Sequence, residues 1–172
     1  HRSGVAMRFP RIARLRWDKP AREADRLEAL IALLEESGMQ VLYDEAVEVN
    51  DWLTIVGRKD YSDGERAGLA QLTEGVDRED ALFLLEHQPV EFDIASEQGV
   101  DLIVSGHTHR GQIAPGHLIT QMLFENDWGY LQKEQLHSVV SSGFGFWGPP
   151  IRIGSRSEVV LINVSFANAP SN

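Results

Sequence analysis

Cysteine is absent from the 172 residues. Disulfides and thiolate metal sites are therefore excluded, and any metal must be held by histidine, carboxylate, amide or water. No apolar run approaches the about 20 residues needed to span a bilayer. Residues 1–16 are basic and punctuated by Pro10, but they lack the apolar core of a signal peptide. Basic residues are outnumbered: 16 Lys and Arg stand against 26 Asp and Glu, for a formal net charge of -10. That balance argues against non-specific nucleic-acid binding, which needs a basic surface. It also repels anionic substrates at long range unless metal or a local arginine cluster reverses the field. The positive charge is uneven, with Arg2, Arg8, Arg11, Arg14 and Arg16 near one end and Arg152 and Arg156 near the other.

With 42% hydrophobic and 24% charged residues, the chain has the composition of an ordinary globular protein of one-domain size. Residues 1–18 show no clear period and read as an irregular N-terminal segment. Asp18-Lys19-Pro20 opens a helix, since Asp caps and Pro is tolerated in the first turn. Ala24, Leu27, Leu30, Ile31 and Leu34 recur at helical spacing, and Gly38 is the expected stop. Strands are predicted over 40–43, 46–49 and 52–57, the second and third forming a hairpin across Asn50-Asp51. Residues 58–64 are polar and read as a loop, and 65–72 as a helix. The apolar run 81–85 ends at Glu86-His87-Gln88-Pro89. Pro89 opens a helix over 90–98 that closes at Gly99, and 101–105 is another buried strand. A strand-helix-strand unit of this kind is usually parallel. A short helix over 118–124, a hairpin of 130–132 with 136–141, a glycine-rich aromatic loop over 143–150 and a last strand over 158–164 follow. Residues 167–172 read as a frayed tail.

Two histidines, His107 and His109, follow the apolar run Leu102-Ile103-Val104, and His87 follows the run 81–85. Imidazole is the commonest metal ligand near neutral pH. Functional groups in α/β sheets gather at the carboxyl ends of the strands, so parallel pairing puts all three on one edge. A single histidine is more often a packed or surface residue, but three at adjacent strand ends favour metal. Gly106 allows close backbone approach, and Thr108 is a candidate for orienting an imidazole. Arg110, Arg152 and Arg156 are candidates for holding phosphate oxygens, although the last two read slightly better as surface ion pairs. Glu86 alternates to the opposite strand face from His87 and reads as a surface or supporting group. Phe144, Phe146 and Trp147 read more as packing than as a pocket wall, and His117 and His137 as structural or surface.

Glu86-His87-Gln88-Pro89, Gly99-Val100-Asp101-Leu102 and Ser105-Gly106-His107-Thr108-His109-Arg110-Gly111-Gln112 together resemble the last two motifs of the calcineurin-like metallophosphoesterases. The likeness runs through Gly148-Pro149-Pro150-Ile151-Arg152-Ile153-Gly154, as in a bacterial branch of phosphohydrolases with many membrane-associated members. It covers roughly residues 39–165. The resemblance implies an α/β fold, the C-terminal part of a two-sheet sandwich flanked by helices, over 19–166. It implies hydrolysis of a phosphoester substrate at a two-metal site of Mn, Fe or Zn class, with His87 and His107 on one metal and His109 on the other.

The same family uses an Asp-x-His, a Gly-Asp and a Gly-Asn-His motif ahead of these two, and none is in this sequence. Three imidazoles without the bridging carboxylate do not hold two divalent ions about 3.5 Å apart. The expectation is therefore the C-terminal half of a longer enzyme, inactive alone. A non-catalytic binding or regulatory module is the alternative, and a mononuclear zinc site on the three histidines a third reading. Half a sandwich exposes apolar sheet surface, so self-association is expected as well.

Overall fold

The structure, a computed structural model, describes residues 27–166. The expected N-terminal segment, the start of the first helix and the tail at 167–172 lie outside the described residues. The elements are α1 (Leu27–Glu36), β1 (Glu45–Asn50), β2 (Leu53–Gly57), α2 (Leu69–Leu72), β3 (Ala81–Leu85), α3 (Phe92–Glu97), β4 (Leu102–Ser105), α4 (Gly116–Leu123), β5 (Gly129–Lys133) and β6 (Leu136–Val140). A 3-10 turn, His109–Gly111, lies between β4 and α4.

The six strands make one mixed sheet in the order β1-β2-β3-β4-β6-β5. β1 with β2 and β5 with β6 are antiparallel hairpins; β2, β3, β4 and β6 run parallel. The α/β class is borne out. Among the described residues there is one sheet, with no second layer of strands against it.

Alternation along the strands sets two unlike faces. Val56 lies beside Leu84, and Leu84 beside Ile103, and all three are fully buried. Helices α2 and α3 cover this face through Leu69, Phe92 and Ala95. The other face carries Ile55, Phe83, Leu102 and Val139, and it borders an open cleft of about 1000 Å³ together with Trp52, Leu161 and Phe166. Phe166 meets the Trp52 ring edge-on at 4.7 Å and stacks on Phe83 at 6.2 Å. This layer over the sheet is thin: Val159 and Leu161 remain 86% and 84% exposed.

Three expected elements differ. Residues 40–43 are irregular rather than a strand, because Leu42 packs onto the sheet where Gly57 has no side chain; a Cβ on Gly57 would fall 2.3 Å from the Leu42 Cβ. Only Leu69–Leu72 of the expected 65–72 helix is helical. The predicted strand over 158–164 is irregular: it crosses the sheet face, and Glu158 N–H donates to the Gly143 carbonyl rather than joining a ladder. Its apolar residues satisfy a strand pattern, but the sheet edge beside β5 is not where they lie. Gly38 and Gly99, with φ of 80° and 78°, stand where the helix stops were expected.

Candidate metal centre

His87 and His107 follow β3 and β4, which pair in parallel with Leu85 beside Val104. The Gly106 N–H donates to the His87 carbonyl at 3.1 Å and extends this pairing beyond the strands. The two imidazoles therefore stand at one sheet edge. His107 Nδ1 lies 3.2 Å from His87 Nε2, with the rings nearly perpendicular at 87°. Two nitrogens each about 2.0–2.1 Å from one metal, at angles between octahedral and tetrahedral, are about 2.9–3.4 Å apart. The pair thus has the spacing of two ligands of one ion; the same spacing also makes an imidazole–imidazole hydrogen bond.

His109 is 5% exposed and lies under Arg152, whose Nη2 is 3.5 Å from the His109 Nδ1. Among the described residues, no group of three or more His, Cys, Asp or Glu side chains gathers to hold a metal ion. The donors present fit half of one metal shell and do not furnish a two-metal centre.

The loop carrying these residues is held in an uncommon backbone conformation. His107, His109, Arg110 and Gln112 all have positive φ, at 67°, 51°, 50° and 47°. Each such non-glycine residue costs about 1 kcal/mol or more and persists only where the surroundings over-determine it. The restraints are visible. Thr108 Oγ1 donates to the Asp127 carbonyl at 2.6 Å and accepts from the Arg110 N–H, so it shapes the turn rather than orienting an imidazole. Gln112 Nε2 donates to the Trp147 carbonyl at 2.7 Å, and its Oε1 accepts from the Trp147 N–H, tying the loop to the aromatic segment. Gly111 packs so closely on Gly116 that a Cβ would fall 2.1 Å from the His117 nitrogen.

Arg152 is not a surface ion pair. Its guanidinium donates to the carbonyls of Ser142, Gly143 and Gly145, and so folds the 142–145 turn around itself. Burial holds its pKa below the usual arginine value. The Arg110 guanidinium carbon sits over the Trp128 ring, 3.7 Å from its centroid.

Glu86 is not a surface group either. It is buried behind His87 in a cluster with Arg58, Arg66 and Glu91. Arg66 grips it through two nitrogens, at 3.1 and 2.6 Å, and Arg58 meets Glu91 at 2.7 Å. Burial pushes the Glu86 carboxyl up to about 7, against the pull of Arg66 and Arg58. Nothing in the polar stretch 58–66 distinguished these two arginines from loop charges, because their partners lie 20 and more residues away. Asp60 also lies near the edge: burial would raise its carboxyl, but bonds from Ser62 and the proximity of His87 hold it low.

No family model matches the chain, and no solved structure matches it. Curated relatives do. An uncharacterized metallophosphoesterase of Aquifex aeolicus is 36% identical over 146 residues, covering 80% of this chain and 55% of the relative. One of Campylobacter jejuni is 32% identical over 142 residues, covering 80% of this chain and 38% of the relative. The chain belongs to the calcineurin-like metallophosphoesterase family. The likeness is not confined to bacteria: a Bos taurus transmembrane protein with metallophosphoesterase domain is 32% identical over 149 residues, with 76% of this chain and 34% of the relative covered. The chain spans about half the length, or less, of these metallophosphoesterases. No helix among its described residues is long and apolar enough to cross a membrane. Membership brings divalent-metal dependence as a family property.

Two measurements check the supports of this edge. Glu86→Ala leaves Arg58 and Arg66 to share Glu91 and is expected to cost about 3–5 kcal/mol in urea unfolding, as for one member of a buried ion pair; a loss under about 1 kcal/mol would show the cluster is not structural. The second concerns Glu158, whose carboxyl accepts from the Ser142 N–H at 2.7 Å and the Trp128 indole N–H at 2.8 Å. Burial acts to raise its pKa, but these bonds outweigh it and hold the group low. Its contribution is then complete above the ordinary value of about 4.3 and is lost as pH falls through the lower folded value. Stability is expected to drop on acidification below about pH 4, and Glu158→Gln should make that drop shallower.

Proposed function

We propose that the whole protein hydrolyses phosphoesters in a metal-dependent reaction and that this chain supplies part of the metal site. The observation that carries the reading is the 3.2 Å approach of His107 Nδ1 to His87 Nε2 at the ends of neighbouring parallel strands. In this reading His87 and His107 serve one of two metals and His109 the other, while carboxylate and amide ligands come from outside the described residues. Bound divalent metal supplies an activated water and offsets charge on the phosphoryl oxygens.

The chain's own residues have separable tasks. The pairing of β3 with β4 fixes the spacing of the two imidazoles. The Glu86 cluster stiffens the backbone immediately before His87. Thr108 and Gln112 hold the left-handed loop, and Arg110 brings positive charge to the edge of an otherwise acidic molecule.

Hydrolysis of a chromogenic phosphodiester by the whole protein with Mn is expected, with His107→Ala lowering kcat/KM by about 100-fold or more. Absence of turnover with any divalent metal would sink the enzyme reading and leave a binding or regulatory module. Zinc bound to this chain at one ion per molecule, without turnover, would favour the mononuclear site instead.

The open sheet face supports self-association of this chain, since contiguous apolar surface of this kind is rarely left in water. Light scattering at micromolar concentration is expected to find dimers or larger species. A strictly monomeric chain would remove this part of the proposal.

A further inference from the structure

The sheet edge that carries His87 and His107 continues past β4. Ser105 lies beside Val140 of β6, and Val140 beside Gly129 of β5, so Ser142 and Trp128 stand at the same edge, over β6 and β5. An open cleft of about 490 Å³ lies there, bordered by Arg110, Trp128, Ser142, Ser155, Arg156 and Glu158.

The cleft gathers two cations in a chain whose formal net charge is -10. Arg58, Lys59, Arg66 and Lys133 each have a carboxylate partner. Yet among the described residues Arg110 and Arg156 make no ion pair, and the Arg110 side chain has only the Trp128 ring beneath it. A guanidinium held over an aromatic face keeps N–H donors for a planar or tetrahedral oxyanion. The platform is fixed, because the Trp128 indole N–H is tied to Glu158 at 2.8 Å. Ser142 Oγ donates to the Arg156 carbonyl at 3.3 Å and sets the backbone from which Arg156 projects. Glu158 is the one carboxylate on the wall, and its Oε1 already accepts from Trp128 and from the Ser142 N–H. Two guanidinium groups against one carboxylate leave the cleft positive.

We infer that the cleft between Arg110 and Arg156 binds a phosphate group of the substrate that is not the one being cleaved. The inference rests on the hydrolase reading for the word substrate, but the cleft's affinity for phosphate does not. The histidine pair lies over β3 and β4 and the cleft over β6 and β5, two strand spacings apart, or about 10 Å. That span is too long for the two phosphorus atoms of a diphosphate. It suits an organic bisphosphate whose groups are separated by a spacer of several carbon atoms.

Calorimetry on this chain in EDTA, with inorganic phosphate as the probe, isolates the cleft from any metal. Saturable binding is expected, weakened at least about ten-fold by Arg110→Gln and by Arg156→Gln, the loss of one charge-assisted contact, and unchanged by His107→Ala. Arg156 is exposed, so its variant is expected to melt with the parent chain. Absence of phosphate binding, equal binding by the arginine variants, or loss in His107→Ala would each overturn the inference. A second arm uses the whole protein with Mn and compares hexane-1,6-diol bisphosphate with hexyl phosphate. The bisphosphate is expected to bind at least about ten-fold tighter, an advantage that Arg156→Gln removes; equal affinities would overturn the assignment of the cleft to substrate. Failure of the hydrolase reading shows separately, as absent Mn-dependent turnover with phosphate binding in EDTA intact.

Discussion

The parallel pairing of β3 with β4 is the constraint on which the rest depends. It buries Leu84 against Ile103 on the covered face, and it aligns the two strand ends so that His87 and His107 emerge side by side. A shift of one residue would reverse every side chain in β4. The apolar residues would then turn outward, and the imidazoles would part. Core packing and site geometry are in this way one requirement, and the energy that fixes register is mainly hydrophobic.

Rigidity at the edge comes from polar contacts made behind and beside it. Behind His87, Glu86 and Glu91 are shared by Arg58 and Arg66 in a cluster with no formal net charge. Such a cluster is a poor source of net stability, since desolvating four ions offsets most of their attraction. Its effect is positional: it fixes the residue before the first imidazole and the left-handed Glu91 that opens α3. Beside His107, Thr108, Gln112 and Arg152 hold a loop in which four non-glycine residues have positive φ. Strain of that kind at a strand end marks a place where side-chain direction matters more than local ease of folding.

The molecule is also lopsided. One sheet face is sealed by α2 and α3; among the described residues the other is crossed only by the irregular run to Phe166, and α4 has no buried residue. Relatives that extend well beyond this chain share its sequence over about four fifths of its length.

Sequence alone was sufficient for the α/β class, both hairpins, the bounds of β3, the parallel β3-α3-β4 unit and the family, because these follow from local periodicity, turn residues and a fairly specific Gly-His-Thr-His motif. It determined equally that these 172 residues bring no thiolate ligand. Tertiary structure decided what depended on residues far apart in the chain. Glu86 read as a surface or supporting group; its burial against Arg58 and Arg66, 28 and 20 residues away, rules out the surface. Arg152 read as a surface ion pair and instead organises carbonyls of the 142–145 turn. The run 158–164 has a strand's pattern but not a strand's place, since hydrogen-bonding to a ladder is decided by what lies beside it. Periodicity records which side of an element is apolar; only the folded chain decides which distant charge or carbonyl comes to meet it.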